Sequence, residues 1–120
     1  MNMQTGTFMI AGAMSDIENY NHPAFNAMEA EIKQLFPECK VLNPASLPTD
    51  KEYEWYMDIT LQWVEDCDFV VLLPGWDKSP GAQRERAKAV NIGRNVINPQ
   101  KWNDIKNREL TKLTIINGGK

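Results

Sequence analysis

Apolar residues fall along this chain in two alternating rhythms: short unbroken runs, and longer stretches spaced by three and four. Thr7–Ala11 is a short apolar run ending at Gly12, the pattern of a buried strand. After the polar stretch Ser15–Asn21, the residues Phe25, Met28, Ile32 and Leu35 form one helical stripe, which predicts a helix over about Pro23–Phe36. Pro23 suits a first helical turn, and Pro37 ends the pattern. Lys40–Leu42 reads as a second strand, stopped by Asn43-Pro44. A second helix, over about Lys51–Cys67, is apolar on two sides. Tyr53, Met57, Leu61 and Val64 form one stripe; Trp55, Ile59 and Trp63 form the other. The tryptophan stripe either widens the core face or meets another copy of the chain in a homo-oligomer.

Asp68–Leu73 is continuously apolar after its first residue, as a central strand covered on both faces should be. Pro74–Lys78 is a loop, and Ser79 (N-cap) with Pro80 (first position) opens a third helix that ends near Gly93. Asn95–Ile97 is a fourth strand, Trp102–Leu110 is amphipathic, and Leu113–Ile116 is a candidate edge strand before the polar end Asn117–Lys120. Strands alternating with helices through short connections imply an α/β fold. The expectation is a single doubly wound, flavodoxin- or Rossmann-like domain over residues 1–120, with a parallel sheet of four to five strands. Such sheets bind ligands beyond the carboxyl ends of their strands, at a topological switch point. That directs attention to Gly12–Asn21, Asn43–Leu47 and Pro74–Glu85.

Composition narrows the classes. The chain has 120 residues, 42% of them hydrophobic, enough for one real core. Its net charge of −3 argues against nonspecific binding to nucleic acid or to an anionic membrane surface. No apolar run is long enough for a membrane span, and Met1–Ala13 lacks the basic start of a signal peptide, so a cytoplasmic location is expected. Cys39 and Cys67 form no CxxC pair and are expected to be buried free thiols. With one histidine, His22, expected to be a turn residue, no metal site and no cofactor are implied. GxGxxG, P-loop and GxSxG patterns are absent, which disfavours dinucleotide binding, ATPase activity and serine hydrolysis.

Glu85 carries the most information. Ala82 and Ala89 share its helix face, so it is either a carboxylate turned inward near the positive end of the helix or a rim residue paired with Arg84, Arg86 or Lys88. Ile92 is expected to continue the inward stripe. An unpaired carboxylate is costly to bury, so an inward Glu85 needs a partner or a chemical reason. Asp68, at the amino end of the central strand, is either a solvated turn acid or part of the site. Ser79, Gly81 and Ala82 put a hydroxyl and backbone N–H groups at a helix start, which is either a plain cap or an anion site. Gly12-Ala13-Met14-Ser15 is a comparable small-residue turn after the first strand.

Four segments together carry a resemblance: Phe8–Met14; Asn21–Asn26; Val41–Ala45; and Leu72–Trp76 continuing through Ser79–Ala82 to Glu85. Over about Phe8–Ile97 they resemble DUF4406, a group of small proteins often encoded by phages or prophages. That group in turn resembles the nucleoside 2-deoxyribosyltransferase superfamily, through element order and the pattern Gly81-x-x-x-Glu85-x-x-x-Ala89. The resemblance implies that Glu85 is a nucleophile toward C1′ of a nucleoside or nucleotide. It makes Asp68 the nearest match to an aspartate that assists the departing base, with Asp77 as the alternative. Six residues before the nucleophile, transferases of the superfamily have an aspartate, whereas 2′-deoxynucleoside 5′-monophosphate N-hydrolases have a phosphate-binding serine; here the residue is Ser79. Those hydrolases carry further serines and an arginine after the first strand, where Gly12–Asn21 has Ser15 and no arginine. The resemblance therefore implies cleavage of a (deoxy)nucleoside 5′-monophosphate. The alternatives are a deoxyribosyltransferase and a non-catalytic nucleotide-binding module. Gly12, Ala13, Met14, Ser15, Phe25, Asn43, Gly75, Trp76, Ser79, Gly81 and Ala82 are the expected substrate contacts, Trp76 or Phe25 stacking on the base.

Overall fold

The computed structural model describes residues 2–15 and 17–118. Four strands, β1 (Thr7–Ala11), β2 (Lys40–Leu42), β3 (Phe69–Leu72) and β4 (Asn95–Ile97), form one sheet in the order β2-β1-β3-β4. Every pairing is parallel, with Phe8 opposite Val41 and Phe69, and Val70 opposite Val96. The connections are helical: α1 (His22–Leu35), α2 (Tyr53–Asp66) and α3 (Pro80–Asn91), with α4 (Pro99–Gly118) after the last strand. This is the doubly wound α/β arrangement that the alternating pattern predicts.

Strand geometry explains the layering, because successive side chains leave opposite faces. Phe8 and Ile10 of β1 join Phe69 and Val71 of β3 under Phe25, Met28 and Ile32 of α1 and Trp102 and Ile105 of α4. Met9, Ala11, Val70 and Leu72 face the other way, against Val64 of α2 and Ala89 of α3. The helices thus divide two and two across a sheet whose central strands are buried but for the half-buried Thr7. Phe8 anchors the first layer, its ring stacked between those of Phe36 at 5.7 Å and Phe69 at 4.8 Å. Both cysteines are free and buried.

Three details depart from the periodicity. Leu113–Ile116 belongs to α4 and not to an edge strand, because the apolar spacing of Trp102 and Ile105 seeds a helix that runs on through them. Ile92 ends α3 as its C-cap and is exposed, so the inward stripe stops at Ala89. The tryptophan stripe of α2 splits: Trp63 packs on the second core layer, while Trp55 stays at the surface with the Lys51 ammonium over its ring. Among the described residues no helix is long and apolar enough to cross a membrane.

Trp102 fastens α4 to the body: its ring is enclosed and its Nε1–H donates to Glu31 Oε1 of α1 at 2.8 Å. Trp102→Ala is expected to cost about 3–5 kcal/mol in urea unfolding, through the cavity and the lost anchor, with little change in the denaturant slope.

Candidate active site

β1 leads to its neighbour β2 through α1 on one face, whereas β3 leads to β4 through α3 on the other. The loops leaving β1 and β3 therefore diverge, and a crevice opens between them at the carboxyl ends of the strands. A cavity of about 320 Å³ lies there, within the range of small-molecule sites.

One wall is the start of α3. Ser79 caps this helix, its Oγ accepting the Ala82 N–H at 3.2 Å, and Pro80 supplies a pre-set first turn. Glycine at 81 permits close approach to α2, since a Cβ there would meet Met57 Sδ at 3.2 Å. A second wall is the turn after β1. Gly12 sits against Leu73, whose Cδ1 would be 2.9 Å from an added Cβ, so only glycine lets this turn lie so near the neighbouring strand. Ala13, Met14 and Ser15 continue that wall.

Glu85 projects inward between Ala82 and Ala89 and is only 6% exposed. Its basic neighbours are otherwise engaged: Arg84 pairs with Glu54 at 3.0 Å, Arg86 lies over the Trp76 ring, and Lys88 bridges to Glu65. The rim reading of Glu85 is thereby overturned. Burial pushes its carboxyl up to about 7, against a smaller downward pull from the Thr60 hydroxyl and the Arg84 charge. Thr60, on α2, lines the same cavity. Its Oγ1 makes no hydrogen bond of ordinary geometry, and it is the one buried side-chain polar atom among the described residues in that condition.

Of the residues singled out in the sequence, Gly12, Ala13, Met14, Ser15, Phe25, Ser79, Gly81, Ala82 and Glu85 are brought together around this cavity. Phe25 does so from inside the core, fully enclosed, and so offers no free ring face for stacking. Five others lie elsewhere. Asp68 precedes β3 at the opposite end of the sheet, where its Oδ2 accepts the Thr7 N–H at 2.9 Å, so it is a strand-tying acid remote from Glu85. Asn43 is spent on structure: its Nδ2 donates to Asn26 and Glu29, and its Oδ1 accepts the Ala45 N–H. Gly75 provides a left-handed turn at φ 88°, and Trp76 packs on the α2–α3 side of the sheet. Asp77, the alternative to Asp68, is exposed on the 3₁₀ turn Trp76–Lys78, outside the cavity wall.

Sequence reasoning reached only Leu47, through the segment Asn43–Leu47, of a third wall that continues through Pro48, Thr49, Lys51, Tyr53, Tyr56 and Met57. Tyr56 fixes this segment by donating its hydroxyl proton to the Pro48 carbonyl and accepting the Lys51 N–H. Tyr20, from the segment before α1, and His22, the first residue of α1, also line the cavity. That segment is strained, since Asn19, Tyr20 and Asn21 all have φ between 53° and 59°, and Asn21 secures it by donating to the Ala13 carbonyl at 2.9 Å. Among the described residues no cluster of three or more His, Cys, Asp or Glu side chains is placed to hold a metal ion.

The Glu85 environment has a consequence for stability. Between the ordinary carboxyl value of 4.5 and about 7, the folded chain holds a proton that the unfolded chain has lost. Stability is therefore greatest below that window and falls as pH rises through it, by about 3 kcal/mol for this group. Glu85→Gln is expected to remove the decline, making the variant about 2–3 kcal/mol more stable than the parent in urea at pH 8, with the two converging near pH 5.

The model of one family, described as Domain of unknown function (DUF4406), matches residues 7–98, which span all four strands and every wall of the cavity. The chain belongs to that family. No curated protein matches it.

Proposed function

We propose that this DUF4406 protein cleaves the N-glycosidic bond of a (deoxy)nucleoside 5′-monophosphate, with Glu85 as the nucleophile. The observation carrying the reading is a carboxyl that is nearly enclosed, unpaired and open to a small-molecule cavity at the switch point. A carboxylate kept from water is poorly stabilised in the empty site, and it gains most when positive charge develops beside it. Fission of an N-glycosidic bond creates such charge at C1′, in an oxocarbenium-like transition state.

In the proposed reaction a Glu85 oxygen bonds to C1′ while the C1′–N bond breaks and its electron pair leaves with the base. The base takes up a proton from water or a cavity donor. Water then cleaves the glycosyl ester, restoring the carboxylate and releasing the sugar phosphate. The start of α3 supports assignment of the phosphate end. Ser79, Gly81 and the positive pole of the helix favour an anion, with Lys78 beside them and Lys51 on the α2 wall of the same cavity. A carboxylate at position 79 would repel the same group.

Chromatography of a panel of nucleosides and 5′-monophosphates tests this directly. Free base should appear from a monophosphate, and Glu85→Gln should reduce its release by at least about 10³-fold while the variant stays folded. Parental turnover in that variant would remove Glu85 as nucleophile. Ser79→Asp should penalise monophosphates more than nucleosides, and equal effects on both would remove the phosphate assignment. Because the attacking form is ionised, kcat/KM should rise with pH and level off above about 7, losing about tenfold per pH unit on the acid side.

A further inference from the structure

Thr60 carries the one buried hydroxyl among the described residues that makes no hydrogen bond of ordinary geometry. It is 4% exposed, in the middle of α2, on the face that packs toward α3. A helical threonine ordinarily satisfies its hydroxyl on the carbonyl one turn back, as Thr111 does on Asn107 in this same chain. Thr60 does not, although leaving a buried hydroxyl unmet is costly and a valine would fill the same volume with no such penalty. The hydroxyl instead borders the cavity into which Glu85 projects, and its pull on that carboxyl is the larger of the two that favour the ionised form. A hydroxyl from α2 and a carboxyl from α3 that forms no ion pair thus border the same cavity.

We propose that the Thr60 hydroxyl is the donor that holds the ionised Glu85 carboxylate in its attacking orientation, making Thr60 a positioning residue. The proposal rests on the reading of Glu85 as nucleophile. With Glu85 protonated, both groups are neutral and a hydrogen bond between them is of the weaker, uncharged kind. On ionisation, a charge-assisted hydrogen bond forms and fixes one carboxylate oxygen, leaving the other free to face C1′. When the glycosyl ester forms, the held oxygen becomes a neutral carbonyl and the bond to it weakens. The other titratable groups on the cavity wall are Tyr20, His22, Lys51, Tyr53, Tyr56 and Lys78, and Arg84 acts from α3 itself. The test must therefore isolate the Thr60 contribution by substitution alone.

The experiment titrates Glu85 by NMR of the side-chain carboxyl carbon in the full chain, parent against Thr60→Val and Thr60→Ser, and measures kcat and KM for base release in the same three proteins. Thr60→Val is expected to raise the Glu85 midpoint by about one pH unit and lower kcat about tenfold with KM little changed. Thr60→Ser should restore both. An unchanged midpoint in Thr60→Val overturns the proposal, as does a serine variant that behaves like valine. Should Thr60→Val fail to fold, the serine variant and Thr60→Ala carry the same comparison. The titration needs no turnover: full activity in Glu85→Gln would remove the nucleophile while leaving the Thr60–Glu85 hydrogen bond to be read from the midpoint alone.

Discussion

Everything at the cavity end of this molecule depends on how closely α3 lies against α2 and the sheet. The approach is set by what the contact face lacks: Gly81 has no side chain, and Ala82 and Ala89 have one carbon each. A helix seated this deeply withdraws whatever else it carries on that face from water, and here it carries a carboxylate. The energetic cost falls on the protonation equilibrium of Glu85, whose carboxyl is driven up to about 7, and not on the packing. Charge on that side chain is consequently conditional, tied to what occupies the space beside it. An exposed glutamate two residues away on the same helix would have none of these properties.

The fold was readable because every element announces itself locally. Continuous apolar runs mark the two central strands, three-and-four spacing marks α1, and Ser79-Pro80 marks the start of α3 to the residue. Failures fell where local pattern and tertiary environment part company. Leu113–Ile116 is as apolar as a strand, but a helix already running from Pro99 extends through it. Cooperative propagation from a nucleated helix outweighs the preference of four residues.

The site was half legible. Residues that follow a strand or open a helix at the switch point were found, since topology alone places them: Gly12 to Ser15, Ser79, Gly81, Ala82 and Glu85. Asp68, Asn43 and Trp76 have suitable chemistry but lie outside it. Each proves to be satisfied elsewhere, by the Thr7 amide, by Asn26, Glu29 and Ala45, and by the core and Arg86 respectively. The α2 wall was missed for the opposite reason. Tyr53 and Met57 sit at core spacing, and a periodic stripe cannot say where the core ends and a cavity begins. Thr60 gave no signal at all, being a single polar residue between two apolar stripes, significant only for the bond it does not make.

The hydrogen bond from the Thr7 amide to Asp68 has a wider meaning once its location is considered. It ties β1 to the approach of β3 at the end of the sheet opposite the cavity, and β4 continues from that same corner through the Asn95 amide and the Asp68 carbonyl. Register is thus secured at one end and the cavity lies at the other. Such a division of labour lets descendants of this sequence exchange loops above Ala11, Leu42 and Leu72, acquiring new ligand preferences, without loosening the arrangement that aligns the strands beneath them.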